Sequence, residues 1–424
     1  MHASGYFLIA LVFVVGYVAI IFEYWLKVNK TAIAMLIAAL SWALFFFTSD
    51  QPIAVDLSIL AGHIAEVSQI LFFLLGTMTL VELIDSHRGF QLITDRFSVQ
   101  SKRKMMLLVA LITFFLSAIL DNLTTAILMG TLVRKWIPDP KERFFPICLI
   151  IVAANAGGAW TPIGDVTTTL LWIHGQLSSW KVVQALFLPS LASLIVPLLF
   201  FSLQVRGNLV LAKKERKIEP GAPIVFFVGL LLLIAVPFVH ALTQLPPFMG
   251  VLFALSILWL ITDFMHRKHA ERKHLRVPHV LTRIDSATLL FFLGILLAVD
   301  ALQTVGVMGH LANYLSQTIQ RPSLIATLIG LVSAVVDNVP LVAATIGMYP
   351  LDHFPLDSPF WHQIAYAAGT GGSIFIIGSS AGVALMGIEK IHFFAYLKRA
   401  TIPILLGYFL GFAIYFLQNV KGIF

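Results

Sequence analysis

Two stretches of this chain match one another deep inside apolar sequence: Ser117-Ala118-Ile119-Leu120-Asp121-Asn122 and Ser333-Ala334-Val335-Val336-Asp337-Asn338. An apolar run, residues 105–116, leads into the first. A carboxylate at bilayer depth costs roughly 2.5–3.5 kcal/mol on insertion scales. Two such acids at matched places 216 residues apart (337 − 121) point to a duplicated ion site inside a membrane.

Composition supports the setting. The chain is 59% hydrophobic, only 12% charged, and has mean hydropathy +0.91. A soluble domain carries about twice that charged share. The apolar residues form blocks of membrane-spanning length, not the ~10-residue alternating segments of a β-barrel. The single cysteine, Cys148, excludes a disulfide framework and a cysteine-based metal site. Net charge is +7, but the cations sit in loops, and no Arg-rich helix offers itself to nucleic acid. The stretch 5–22 lacks a basic leader and a small-residue cleavage site, so it reads as a retained helix.

Spans are predicted at 5–22, 31–47, 57–84, 105–133, 183–203, 222–242, 250–264, 284–307, 323–349 and 401–417. Two further apolar stretches, 144–173 and 361–388, are broken by glycine. They read as re-entrant hairpins, where irregular backbone is tolerated because it lines a cavity. Placing segments 23–30, 85–104, 204–219 and 265–283 in the cytoplasm, with the end of the second hairpin, puts 21 of the 28 Lys and Arg inside. Arg134, Lys135, Lys141 and Arg143 then fall outside and fit poorly.

The expected organisation is N-terminal membrane helices over 1–56, a first repeat over 57–203, a cytoplasmic linker over 204–223, connecting helices with a basic loop over 224–283, and a second repeat over 284–424. The first repeat holds a broken helix near Asp121 and the 144–173 hairpin. The second holds a broken helix near Asp337 and the 361–388 hairpin. Their motifs recur in order: Phe72-Phe73-Leu74-Leu75-Gly76 with Glu82 against Phe291-Phe292-Leu293-Gly294 with Asp300, then the Asp-Asn pairs, then Asn155-Ala156-Gly157-Gly158 with Gly164 against Gly369-Thr370-Gly371-Gly372 with Gly378. The first spans of the two units run oppositely. The fold class expected is therefore an all-α polytopic membrane protein built from two inverted-topology repeats.

The chemistry follows from the residue types. Removing water from a carboxylate penalises its charged form, so a buried acid accepts a proton and yields it to a cation. Competition of H⁺ and Na⁺ for Asp121 and Asp337 is enough to couple their transport. Asn122 and Asn338 add neutral oxygens suited to a hard cation, and Ser117 and Ser333 open the two motifs. The first hairpin supplies Asn155, Thr161, Asp165, Thr167 and Thr168. Ser379 stands in the second half where Asp165 stands in the first, so that hairpin offers hydroxyls only, among them Ser373 and Ser379. Glu82, Asp300 and Glu66, the last near His63, are further candidates for proton relay. The bland readings are helix-tying hydrogen bonds for the aspartates, a Gly/Thr packing surface for the hairpin, and a solvated basic loop for His266, His269, His274 and His279.

Gly378-Ser379-Ser380-Ala381-Gly382 matches G-x-S-x-G, but that motif belongs to a strand-turn-helix in a soluble sheet. With no H-E-x-x-H, Walker A or dinucleotide fingerprint in the sequence, the expected protein is not an enzyme. It is a transporter driven by an ion gradient, with no cofactor. The paired S-A-x-x-D-N motifs, with N-A-G-G-A-W-T-P-I-G-D-V-T-T between them, resemble the NhaD family of Na⁺/H⁺ antiporters, within the ion transporter superfamily. The resemblance runs from about Leu57 onward. It implies exchange of cytoplasmic Na⁺ or Li⁺ for external protons across a bacterial inner membrane, by a homodimer in the lipid bilayer. It also implies roles for Asp121, Asn122, Asn155, Asp165, Thr167, Thr168, Ser333, Asp337 and Asn338. The alternative is an anion carrier of the same superfamily, for arsenite or a dicarboxylate. That alternative calls for Arg or Lys, or hydroxyls without acids, near the hairpin tips.

Overall fold

Backbone in hydrocarbon has no water to bond to, and a helix satisfies it within one segment. The computed structural model describes residues 3–94, 101–209 and 219–420, which form helices joined by turns and irregular segments, with one isolated bridge between Ser101 and Asn208. Residues 95–100 of the expected cytoplasmic segment 85–104, and 210–218 of the expected linker, lie outside the described residues. Among the described residues, seven helices are long and apolar enough to cross a membrane: Lys30–Thr48, Ile53–Ser86, Ser179–Gln204, Ala222–Thr243, Pro247–His266, Ser286–Thr304 and the helix beginning at Thr401. Each coincides with an expected span. Large apolar side chains stay exposed on them, Leu231, Leu242 and Phe253 among others, as lipid-facing surfaces require.

The chain divides into two compact units. The first comprises Met1–Glu82, Leu245–Arg321 and Ala343–His353. Within it, the Lys30–Thr48 and Ser286–Thr304 helices approach closely at Gly294, where a Cβ would stand 2.7 Å from the backbone at Ala34 and Met35. Thr31 Oγ1 donates to the Ala287 carbonyl (3.0 Å) and Trp42 Nε1 to that of Leu297 (2.9 Å), tying the same pair. The amphipathic Val307–Ile319 helix, which hydropathy does not predict as a span, also belongs here.

The second unit comprises Leu83–Gln244, Pro322–Val342 and Phe354–Phe424. It contains four interrupted helix pairs, one member of which runs on into the first unit: Lys102–Ser117 with Asn122–Trp136, Pro140–Gly158 with Val166–Ile173, Pro322–Val332 with Asn338–Met348, and Pro359–Gly371 with Ser380–Glu389. The interruptions fall at the two Asp-Asn motifs and the two glycine-rich stretches. Matched contacts hold them. Ser117 Oγ donates to the Ala154 carbonyl (2.6 Å), and Ser333 Oγ to that of Ala368 (3.0 Å). A Cβ on Gly157 would collide with the Phe114 carbonyl, and one on Gly371 with the Gly330 carbonyl.

Polar contacts fix which ends of this unit lie together. Lys102 Nζ pairs with Glu142 (2.7 Å), and Lys102 N donates to the Gly207 carbonyl. Glu389, its side chain only 3% exposed, pairs with Arg134 and Arg143 at 2.8 Å each. Arg143 also donates to the carbonyls of Ile137 and Pro138. Residues 102, 134–143, 207 and 389 thus share one end. Ser178 N and Oγ both donate to Asp357 (2.7 and 2.6 Å), which marks the other end. The Ser179–Gln204 helix separates the two by its 26 residues, about 39 Å. The expectation that Arg134–Arg143 and the end of the second glycine stretch face opposite compartments therefore fails. Hydropathy cannot see a three-residue ion cluster.

Candidate functional site

Asp165 is the centre of the polar network in the second unit. As the residue preceding the Val166–Ile173 helix, it has extended backbone (φ −142°, ψ 144°) and turns its carboxylate into the break. Asn122 Nδ2 donates to its Oδ1 (3.2 Å), Thr167 Oγ1 to its Oδ2 (2.6 Å), and Asn338 Nδ2 to its Oδ2 (3.4 Å). Asn122 Nδ2 also reaches Asn155 Oδ1 (3.1 Å), and Asn155 Nδ2 donates to Ser379 Oγ (2.9 Å). Residues of all four interrupted pairs meet here, and all six of these side chains are buried. A Cβ at Gly369 would stand 3.5 Å from Asp165 Oδ2, so glycine keeps that side open. Ser379 Oγ accepts from Gly382 N and so caps the last of these helices.

Asp121 and Asp337 border this network but bond elsewhere. Asp121 caps the Asn122–Trp136 helix, accepting from Thr124 N (2.8 Å) and Thr124 Oγ1 (2.5 Å). Asp337 Oδ1 accepts from Val339 N (3.3 Å) and is near enough to Asp165 for their charges to repel. Both are partly accessible, unlike the asparagines beside them. Asp121, Asp165 and Asp337 each stand at a helix N-terminus, where the helix dipole favours a negative charge. Thr124 is a participant that the sequence reading leaves out, although Asp-x-x-Thr is a recognisable cap pattern.

Several predicted residues have local work. Thr161 Oγ1 donates to the Ala118 carbonyl (2.6 Å), which fastens the second break to the first. Thr168 Oγ1 donates to the Asp165 carbonyl (2.9 Å), and Ser373 Oγ to that of Thr370 (2.6 Å). With Ser117 and Ser333, they add side-chain donors to backbone carbonyls at or near the helix breaks. Glu82, Glu66 and Asp300 belong to the first unit. Glu82 pairs with Arg283 (3.7 Å), and Asp300 lies 3.6 Å from His63.

Chemically, the network offers carboxylate, amide and hydroxyl oxygens, which suit a hard cation that sheds its water readily. Among the described residues, no three His, Cys, Asp or Glu gather as a metal cluster. The side chains that hydrogen-bond Asp165 among the described residues are Asn and Thr, with no Lys or Arg.

A family model described as citrate transporter matches residues 17–361. The chain is 49% identical over 415 residues to Sodium/proton antiporter 1 of Arabidopsis thaliana, covering 96% of this chain and 71% of that one. It is 47% identical to Sodium/proton antiporter 2 of the same plant, covering 92% and 94%. Identity to the Na(+)/H(+) antiporter NhaD of Vibrio cholerae is 30%, covering 99% and 93%.

Proposed function

Given that this chain belongs to the citrate transporter family, we propose that it is a secondary antiporter exchanging cytoplasmic Na⁺ or Li⁺ for external H⁺. The observation that carries the reading is Asp165, a buried carboxylate at the meeting of four helix breaks, lined by amide and hydroxyl groups and no base. Relatives named as sodium/proton antiporters over nearly the whole chain support it. Asp165 holds either the cation or a proton, Asn122, Asn155 and Asn338 orient its oxygens, and Asp121 and Asp337 complete the charge around it. If two of the three acids are protonated on the return step, more than one H⁺ exchanges per Na⁺ and the cycle is electrogenic.

The same reading extends to topology. The shared end of the second unit, with Lys102, Arg134, Arg143 and Glu389, is taken as cytoplasmic. That moves four cations inward and puts 25 of the 28 Lys and Arg there (21 + 4). Helices of 16 and 15 residues, about 24 and 22 Å, are short for a ~30 Å hydrocarbon layer. Their near return to one end supports 102–136 as the re-entrant hairpin. The 140–173 pair then crosses, and 359–389 crosses in the opposite sense, which fits inverted repeats. A homodimer in a cell inner membrane is the proposed assembly and location.

Everted vesicles energised to a ΔpH test the exchange: added Na⁺ or Li⁺ dequenches a ΔpH dye in the wild type and not in Asp165→Asn. Full dequenching in that variant refutes the reading. The family's description names citrate, so a carboxylate carrier is the alternative, against which the relatives named as sodium/proton antiporters speak. A buried acid without a basic partner would repel such a substrate, and labelled dicarboxylate uptake independent of Na⁺ is its test.

A further inference from the structure

The first unit contains a polar pair that the exchange site does not use. His63, on the Ile53–Ser86 helix, faces Asp300, on the Ser286–Thr304 helix, with His63 Nδ1 3.6 Å from Asp300 Oδ2. Both atoms are fully shielded, and among the described residues neither has a hydrogen-bond partner. The other ring nitrogen, His63 Nε2, lies 3.0 Å from Thr304 Oγ1. The Thr304 hydroxyl has one proton, and it donates that proton to the Asp300 carbonyl (2.8 Å). Toward His63 it therefore accepts, so Nε2 carries the ring proton. In a neutral imidazole this leaves Nδ1 with a bare lone pair, aimed at a carboxylate oxygen that also has only lone pairs to offer. Two acceptors face each other in a site shielded from water.

We infer that His63 and Asp300 hold one additional proton in common and form a second proton-binding site, separate from the Asp165 network. With the proton, the pair is neutral overall, as acid and imidazole or as carboxylate and imidazolium. Without it, the pair carries one negative charge and two opposed acceptors. Glu66, one helical turn on from His63 and exposed, is the further titratable group whose charge acts on both. The Lys30–Thr48 helix contributes Trp42, its ring centroid 5.6 Å from that of His63, and no charge. Glu82, paired with Arg283, lies 19 residues further along the His63 helix, about 28 Å away. With the basic 265–283 loop in the cytoplasm, the pair sits toward the opposite compartment, the source of protons in the proposed exchange. Only this last placement rests on that reading. The site itself is tested by protonation, so it stands or falls apart from transport.

Trp42 supplies the probe, because an imidazolium beside an indole quenches its emission. The full chain in lipid nanodiscs is titrated from acid to alkaline pH in choline buffer, and the Trp42→Phe signal is subtracted. The wild type shows a one-proton component. It is absent in His63→Gln and unchanged in Asp165→Asn. In Asp300→Asn it moves by about one pH unit or more, the size expected when a carboxylate near an ionisable partner loses its charge. Thr304→Val frees the tautomer and moves the component too, which keeps the test open if Asp300→Asn fails to fold. A component that survives in His63→Gln overturns the inference. So does Na⁺ abolishing it at fixed pH, which would make the pair a cation site.

Discussion

Ser379→Ala isolates how the two halves of the network depend on each other. The wild-type hydroxyl accepts from Asn155 Nδ2 (2.9 Å) and from Gly382 N (3.2 Å), and both Asn155 and Ser379 are buried. Alanine leaves the Asn155 donor without that partner. An unsatisfied buried donor costs about 1–3 kcal/mol. Asn155 in turn accepts from Asn122, which donates to Asp165, so the loss falls on the state that needs these amides fixed around an ion. At about 1.4 kcal/mol per tenfold, half-saturating Na⁺ should rise roughly 5- to 140-fold. The assay is Na⁺-induced dequenching of a ΔpH dye in everted vesicles, over a Na⁺ series at constant protein level. Ser373→Ala is the control: its hydroxyl serves the Thr370 carbonyl of its own helix, and half-saturation should move by less than about threefold. Equal half-saturation in Ser379→Ala and wild type refutes the argument that Ser379 orients the ion site through Asn155.

Other outcomes follow from the same contacts. Glu389→Gln leaves the buried Arg143 without its carboxylate, and breaking such a pair costs about 3–5 kcal/mol; thermal unfolding in detergent should drop, with Glu389→Asp closer to wild type. Gly157→Ala drives a methyl into the Phe114 carbonyl, an overpacking of about 1–3 kcal/mol, and the same unfolding measurement reads it. Lys141→Cys should react with a membrane-impermeant maleimide on everted vesicles and not on intact cells; the opposite pattern reverses the proposed orientation. Burial pushes the Asp357 carboxyl up, but the His362 ring 3.8 Å away and the hydrogen bonds from Ser178 outweigh it and hold it below its ordinary value. The Ser178–Asp357 tie is therefore intact above the ordinary carboxylate range and is lost as pH falls through the lowered value; Asp357→Asn should remove that acid-side fall in stability.

The membrane fold was readable because hydrocarbon permits few backbone solutions and because apolar blocks of helical length are unmistakable. That Asp121 and Asp337 stand at helix breaks was readable from the Asn and Pro that follow them. What their carboxylates bond to was not. Asp121 looks like a ligand in sequence, yet Thr124 turns its carboxylate into a cap. Asp165 looks like the unmatched extra acid, yet it gathers Asn122, Thr167 and Asn338. Such roles depend on which way a short side chain points at a helix end, which spacing does not determine. The cations at 134–143 misled the orientation for a similar reason, since their partner Glu389 is about 250 residues away.

The Arg134–Glu389–Arg143 cluster has a mechanical consequence. It fastens the start of the 140–173 segment to the finish of the 359–389 segment, and Ser178 with Asp357 fastens them again at the far side. The two segments are held at both ends, and Asp165, which begins a helix of one of them, receives both Asn122 and Asn338. A displacement of that segment therefore moves both copies of the duplicated motif's contacts at once.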